Sequence, residues 1–208
     1  MSLSKTAEQL PRGRHGLSRD HVLASQRGRM LDAICQAVAE KGYARTAVAD
    51  VIERAGVSRE TFYEHFADKE ECFLAAYELA SDTLRSAVAE ALPAEPADPL
   101  ERYDRAMAAY LETMSRERAY TRVFLIDVYG AGPAALARRF QVFQGFVDLI
   151  AEIFGARSAA DRALCEALVG AVSSLVTIRV AVGKFGELPG LRGQIREIAR
   201  RLDPGGGR

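Results

Sequence analysis

The stretch that most restricts how this chain can fold is TAVADVIERAGVSRETFYEHFADK, residues 46–69. Val48, Val51 and Ile52 recur at the three- and four-residue spacing of a single buried helical stripe. Thr46 stands where an N-cap belongs, so a helix is expected over 46–55. Gly56 ends it, because glycine adopts the left-handed backbone of a sharp turn without a steric penalty. Ser58 is placed to cap a second helix of about two turns that closes near His65. Phe62 and Phe66 are four residues apart and share one face, which pins this helix to a core. Glu60, Thr61, Tyr63, Glu64 and His65 point elsewhere, and Arg59, with no preceding turn to confine it, can leave the helix N-terminus freely. Asp68 and Glu71 form a D-x-x-E capping box that opens the next helix, with Lys69 just inside it. Two short helices joined by such a turn make a helix-turn-helix, whose second helix enters the major groove of DNA.

The remaining pattern is helical throughout, and no strand alternation or internal repeat interrupts it. Before the motif, a helix is expected over 25–41, with Leu31, Ile34, Cys35 and Val38 in a stripe and Gly42 as its stop. After it, a long helix over 68–92 carries Phe73, Leu74, Tyr77, Leu84 and Val88, and the PAEPADP run at 93–99 breaks the chain. Further helices are expected over 99–114, through the VFLIDVY run at 123–129, over 134–154 with Phe140, Phe143, Phe146, Val147 and Ile150, over 159–184, and over 189–202. The helix over 159–184 is apolar nearly all round, so something must cover every side of it, most readily a second subunit. Leu164, Leu168, Val172, Leu175 and Val176 form a ridge on it, and Leu191, Ile195, Ile198 and Leu202 form another on the last helix. The fold class is all-α. Residues 1–24 read as a disordered basic arm, 25–80 as one domain and 81–208 as a second, with the boundary inside the long helix near Ala80.

Composition enters through its distribution. Basic and acidic residues balance at 28 each, so no global field points to nucleic acid. Residues 1–29, however, hold six basic and two acidic side chains, a local net of +4. This arm is either a contact for phosphates or a minor groove, or a solvated tail. Cys35, Cys72 and Cys165 are odd in number and far apart, with no metal-ligand spacing and no disulfide framework; Cys35 and Cys72 fall among core positions and read as buried thiols, and the compartment as a reducing cytoplasm. No signal segment is read at the N-terminus, and no apolar run of 18 residues is read as a membrane span. No H-E-x-x-H, G-x-S-x-G or phosphate-cradling glycine loop occurs, so neither metal nor nucleophilic catalysis is expected, and no cofactor.

The run AGVSRETFYEHFADKE, residues 55–70, resembles the DNA-binding signature of the TetR (tetracycline-repressor-type) family of bacterial transcriptional regulators. The resemblance implies an N-terminal three-helix DNA-binding domain joined through a long helix to a C-terminal helical domain for ligand and dimerisation. It implies a homodimer on a palindromic double-stranded operator, and repression relieved by a small-molecule effector. The DNA-binding set on this reading is Thr46, Ser58, Arg59, Glu60, Thr61, Tyr63, His65 and Lys69. Thr46, Tyr63 and Lys69 hold phosphates, while Arg59, with Glu60 and His65, reaches base edges. Glu60 departs from the small residue common there in this family; an acid facing DNA is costly unless a cytosine amino group receives it.

In the C-terminal half, aromatics and methionines recur while Asp127, Ser173, Ser174, Thr177 and Arg179 interrupt apolar runs. This suits either a solid core or an apolar cavity with a few polar groups, and the resemblance favours the cavity. The expected ligand set is Tyr103, Met107, Tyr110, Met114, Phe124, Asp127, Tyr129, Phe143, Phe146, Val172, Val176 and Arg179. A ligand-independent, architectural DNA-binding dimer is the rival reading, and an unrecognised enzyme a weaker one.

Overall fold

The computed structural model describes residues 19–92 and 98–202. Most of the basic arm, the centre of the Pro-rich break and the Gly-rich tail lie outside the described residues. Within them the chain is all helical: α1 (Arg19–Lys41), α2 (Val48–Ala55), α3 (Arg59–His65), α4 (Lys69–Ala91), α5 (Pro99–Arg116), α6 (Arg118–Leu125), α7 (Pro133–Phe154), α8 (Ala159–Ala181) and α9 (Arg192–Leu202). Short 3-10 turns cover Tyr43–Arg45, Asp127–Gly130, Phe185–Glu187 and Pro189–Leu191.

α1 begins at Arg19, six residues ahead of the expected start, so 19–24 belong to a helix and not to the arm. RDHVLASQ contains no glycine or proline to stop helix propagation, and Asp20 suits the positive end of the helix dipole. Only the later turns are anchored, through Met30, Leu31, Ile34, Cys35 and Val38, which pack on α2, α4 and α6.

Thr46 is not the cap of α2. It closes the Tyr43–Arg45 turn: its N–H donates to Tyr43 O at 3.1 Å and its hydroxyl to Gly42 O at 2.9 Å, and the residue is buried. α2 therefore starts two residues later, where Asp50 reaches back to accept from the Ala47 N–H at 2.6 Å. Gly56 takes φ 61° and ψ 44°, the left-handed turn expected of it. Ser58 caps α3, its Oγ accepting from the Thr61 N–H at 3.0 Å, and Phe62 and Phe66 are fully buried. Asp68 caps α4 by accepting from the Glu71 N–H at 2.9 Å. Glu71 answers one residue further back than a capping box requires, accepting from the Ala67 N–H at 2.6 Å.

Lys69 locks these pieces together. Its Nζ donates to Tyr43 O and to Thr46 O, both at 2.9 Å, and lies 4.0 Å from the centre of the Tyr43 ring. Tyr43 in turn stands edge-on to Phe73 of α4 at 5.0 Å. The turn before α2 is thus fastened to the start of α4.

α4 continues without interruption from the three N-terminal helices into the second half. There α5 opens on Asp98, which accepts from the Glu101 N–H at 3.2 Å, with Pro99 in its first turn. The VFLIDVY run is not one helix: α6 ends at Leu125 and Ile126 breaks the backbone before the 3-10 turn. Asp127 is buried there and pairs with Arg122 at 3.3 Å; burial raises its carboxyl above the usual range, with Arg122 opposing. α7 packs along α8, and α9 lies across α5 and α8. Phe140, expected in the α7 stripe, is 64% exposed. α8 is, by length and composition, apolar enough to cross a membrane, contrary to the sequence reading, yet only part of it is buried in the subunit. Leu168, Val172 and Val176 face inward, whereas Ile178 (60%) and Val182 (65%) face solvent. Leu191 and Ile195 are likewise buried within the subunit. All three cysteines are free and buried, and burial raises each thiol's pKa.

Replacing Lys69 with Met keeps the apolar stem over Tyr43 but leaves two carbonyls short of their donor. Lys69→Met should lower unfolding free energy by about 1–3 kcal/mol. Urea unfolding should show a lower midpoint at unchanged slope; an unchanged midpoint would show that the clasp contributes nothing.

Candidate nucleic-acid interface and cavity

α3 presents Arg59, Glu60, Tyr63 and Glu64 to solvent, opposite the buried Phe62 and Phe66. Arg59 and Tyr63 are one turn apart and touch: the guanidinium donates to the Tyr63 hydroxyl at 3.4 Å and lies 5.4 Å from the ring centre. Stacking of this kind holds the planar guanidinium ahead of the helix, where it can meet a guanine edge with two hydrogen bonds. Glu60 sits in the first turn, where the helix dipole favours an acid, so its presence has a local electrostatic cause.

The other expected DNA-binding residues lie differently. Ser58 and Thr61 share the N-cap, their hydroxyls 3.0 Å apart. Thr46 points inward to Gly42, and Lys69 is held by the two carbonyls described above. His65 is half-buried, and its Nε2 is sealed from solvent without a hydrogen-bond partner. Burial, followed by the charge of Arg27, lowers its pKa, so the ring is neutral at neutral pH. Two cations flank the helix-turn-helix, Arg27 from the basic stretch 1–29 and Arg45, which the sequence pattern does not mark. Arg27 of α1 lies 4.6 Å over the Phe66 ring, and Arg45 donates through Nε to Lys41 O at 2.6 Å. Since α3 itself carries two acids and one arginine, such flanking cations matter for phosphates. A helical stripe reveals which residues are buried, not which basic residues outside the stripe stand beside it.

The second feature is a cavity between α5, α6, α7 and α8. Its empty space is about 540 Å³ with the mouth open to solvent included, and little of it is wide enough for a water molecule, so it is a narrow slot. Of the expected ligand set, Tyr103, Met107, Tyr110, Phe124, Phe143, Phe146 and Val172 line it. Met114 instead faces a smaller cavity toward α4, which Phe124 also borders. Asp127 is held by Arg122, Val176 is buried elsewhere in the core, and Arg179 turns back to Leu175 O at 3.0 Å. Tyr129 is exposed on the 3-10 turn and does not line the slot. It touches the slot indirectly, because its hydroxyl accepts from Arg139 Nε at 2.8 Å.

Arg139, which the sequence pattern does not single out, is the one charged residue among those lining the slot. It is exposed in part, and its charge opposes the burial that raises the pKa of Tyr77 and of Tyr110. Nothing in the LARRF run distinguishes it from Arg138, which pairs with Glu78 at 3.3 Å. Only the packing of α7 decides which of the two arginines enters the slot.

Residues 30–76, from the buried part of α1 into α4, match the family model of bacterial regulatory proteins of the tetR family. Over those residues the chain belongs to that family. Over 113 residues it is 28% identical to the HTH-type transcriptional activator FasR of Mycolicibacterium smegmatis, a match spanning 54% of this chain and 51% of that relative. The chain thus aligns with about half the length of this curated relative. Its fold is similar to a TetR-like transcriptional regulator from Rhodococcus sp. RHA1, with a TM-score of 0.71 at 22% identity, covering 93% of this chain and 97% of that one. It is also similar to the fatty acid degradation regulator FadR of Bacillus halodurans, with a TM-score of 0.73 at 19% identity over 88% of this chain and 96% of that one. FadR of Bacillus subtilis, solved in complex with stearoyl-CoA, matches with a TM-score of 0.71 at 17% identity over 85% and 97% of the two chains. The chain therefore pairs a helix-turn-helix of the tetR-family type with a helical C-terminal half.

Arg59→Ala should cost about 1–3 kcal/mol of affinity for the cognate site and relax preference at one base position. Binding to operator and to scrambled DNA, measured at one salt concentration, checks it. Equal losses on both would make Arg59 a phosphate contact.

Proposed function

We propose that this regulator is a homodimeric repressor that leaves a palindromic operator when an elongated apolar ligand fills the slot between α5 and α8. The observation that carries the reading is the position of Phe124. Its ring lines the slot and stacks on Tyr77 of α4 at 5.2 Å and 12° between planes. Four residues earlier on α4, Phe73 packs on Tyr43, the residue over which Lys69 is clasped. One side chain separates ligand space from the helix that carries the reading head. On this reading the division between the two domains falls inside α4 near Ala80, and the protein acts in the cytoplasm.

The DNA contact on this reading centres on Arg59, Glu60 and Tyr63, with phosphates held by Arg27 and Arg45 and by arm residues ahead of α1. The ligand contact centres on Tyr103, Met107, Tyr110, Phe124, Phe143, Phe146 and Val172, with Arg139 meeting an anionic or strongly polar head. A flexible chain suits a slot this narrow, and the stearoyl-CoA bound by one structural neighbour is a ligand of that shape. The solvent-facing side of α8, with Ala167, Ala171, Ser174, Ile178 and Val182, supplies the dimer surface. An isologous pair of such faces matches a palindrome.

The name of FasR favours a second sign of regulation, activation, and one titration separates the readings. Operator is first obtained by selection from random DNA; a straight-chain acyl-CoA is then titrated calorimetrically into free and operator-bound protein. A repressor should bind the ligand roughly 5- to 150-fold more weakly on operator, because coupling is reciprocal and amounts to about 1–3 kcal/mol. Tighter binding on operator would mark an activator. Equal binding would leave a ligand-independent DNA-binding dimer. The dimer has its own check. Ile178→Arg should sediment as a folded monomer at micromolar concentration where the parent is a dimer, and a parent that is monomeric with and without DNA would refute the assembly.

A further inference from the structure

The two ends of the slot differ in chemistry. The order of ring contacts along the antiparallel pair α5 and α7 sets its direction: Tyr110 meets Phe146 at 6.2 Å, and Tyr103 meets Phe154 at 5.5 Å. Arg139, Val142, Phe143, Phe146 and Ile150 line the slot along α7, which at 1.5 Å per residue is a length of about 16 Å. Arg139 therefore stands at one end, beside Tyr129 and within electrostatic reach of Tyr110 and Tyr77. Tyr103 stands at the other, against Phe154 near the end of α7.

Tyr103 is 1% exposed, and its hydroxyl is sealed from solvent with no hydrogen-bond partner. Met107 and Ile150, which line the slot with it, have no side-chain oxygen or nitrogen to offer, and the Tyr110 hydroxyl acts on it only electrostatically. Burial, with Tyr110 adding to it, raises its pKa, so it remains a neutral donor at any physiological pH. A phenylalanine would fill the same space without stranding a hydroxyl. Buried polar groups left unpaired are costly, and a ligand atom that pairs with one recovers that cost on binding.

We infer that the effector is a two-ended molecule: an apolar chain with an anionic or strongly polar head at Arg139 and a second, neutral oxygen, a hydroxyl or a ketone, at the far end where Tyr103 donates to it. A second carboxylate does not suit that end, because an ionised group in a dry apolar pocket lacks a countercharge there. The nearest cation lining the slot is Arg139, at the opposite end. The inference rests on the slot being the effector site, and it adds the chemical class that the site selects.

The test uses the full-length protein and three probes of equal length, repeated over a series of lengths: a saturated straight-chain monocarboxylate, its ω-hydroxy analogue and its α,ω-dicarboxylate. Affinity is read by calorimetry on the parent protein, on Tyr103→Phe and on Arg139→Met. At the best length the parent should bind the ω-hydroxy acid roughly tenfold more tightly than the plain acid, the worth of one recovered buried hydrogen bond, and the dicarboxylate less well than either. Tyr103→Phe should abolish that preference while binding the plain acid at least as well as the parent does. Arg139→Met should weaken all three and keep the ranking. Equal binding of plain and ω-hydroxy acids by the parent at every length, or a preference that survives in Tyr103→Phe, overturns the two-ended effector and leaves the ligand slot standing. If no probe binds, nor any straight-chain acyl-CoA, the slot as effector site fails and the inference with it. Circular dichroism and thermal melting of the two variants separate lost selectivity from lost structure.

Discussion

The face-to-face contact of Tyr77 with Phe124 is where the two halves of this protein become a single structure. Tyr77 is fully buried on a helix whose first turns belong to the reading head, and Phe124 comes from α6 in the second half. Around this pair α4 also packs on α5 and α1 packs on α6, so the core runs without a gap from Met30 to Ala199. An offset aromatic stack contributes area and geometry together. The cavity and the helix-turn-helix are consequently not separate bodies joined by a linker: Phe124, which lines the cavity, is also a ring against which α4 is packed.

The clasp at Lys69 fastens the helix-turn-helix to the start of α4. Its ammonium satisfies two carbonyls of the turn before α2, and Tyr43 beneath it reaches Phe73. Displacement of the α4 N-terminus therefore carries the turn, α2 and the helix capped by Ser58 along with it. The same geometry ties Lys69 and Thr46 to the turn before α2 and leaves Arg59 and Tyr63 as an outward pair.

Much of the reading head is legible in the residues alone. The 3–4 spacing of Val48, Val51 and Ile52, the glycine at 56, the cap at Ser58 and the Phe62/Phe66 pair all describe interactions within one or two turns, and such interactions are written in adjacent residues. The errors are of the opposite kind. Thr46 resembles a cap because the sequence does not display the 3-10 turn it closes. The clasp of Lys69 is not displayed either, because its acceptors lie 23 and 26 residues away. Leu168, Val172 and Val176 resemble a dimer ridge because a helix apolar all round does not say which side its own subunit covers. In the structure that subunit takes this side and leaves Ile178 and Val182 outside.

By itself, then, the sequence determined the all-helical class, the helix-turn-helix with its turn and cap, and the buried state of the thiols. Periodicity, capping and glycine geometry are local, so they act the same way whatever the distant helices do. Only the tertiary structure decided which cations are held by distant carbonyls, which of two adjacent arginines enters the slot, and which face of α8 stays exposed. It alone left the Tyr103 hydroxyl without a partner. Each of these depends on a contact between helices distant in the chain, where side-chain identity allows several outcomes and close packing selects one.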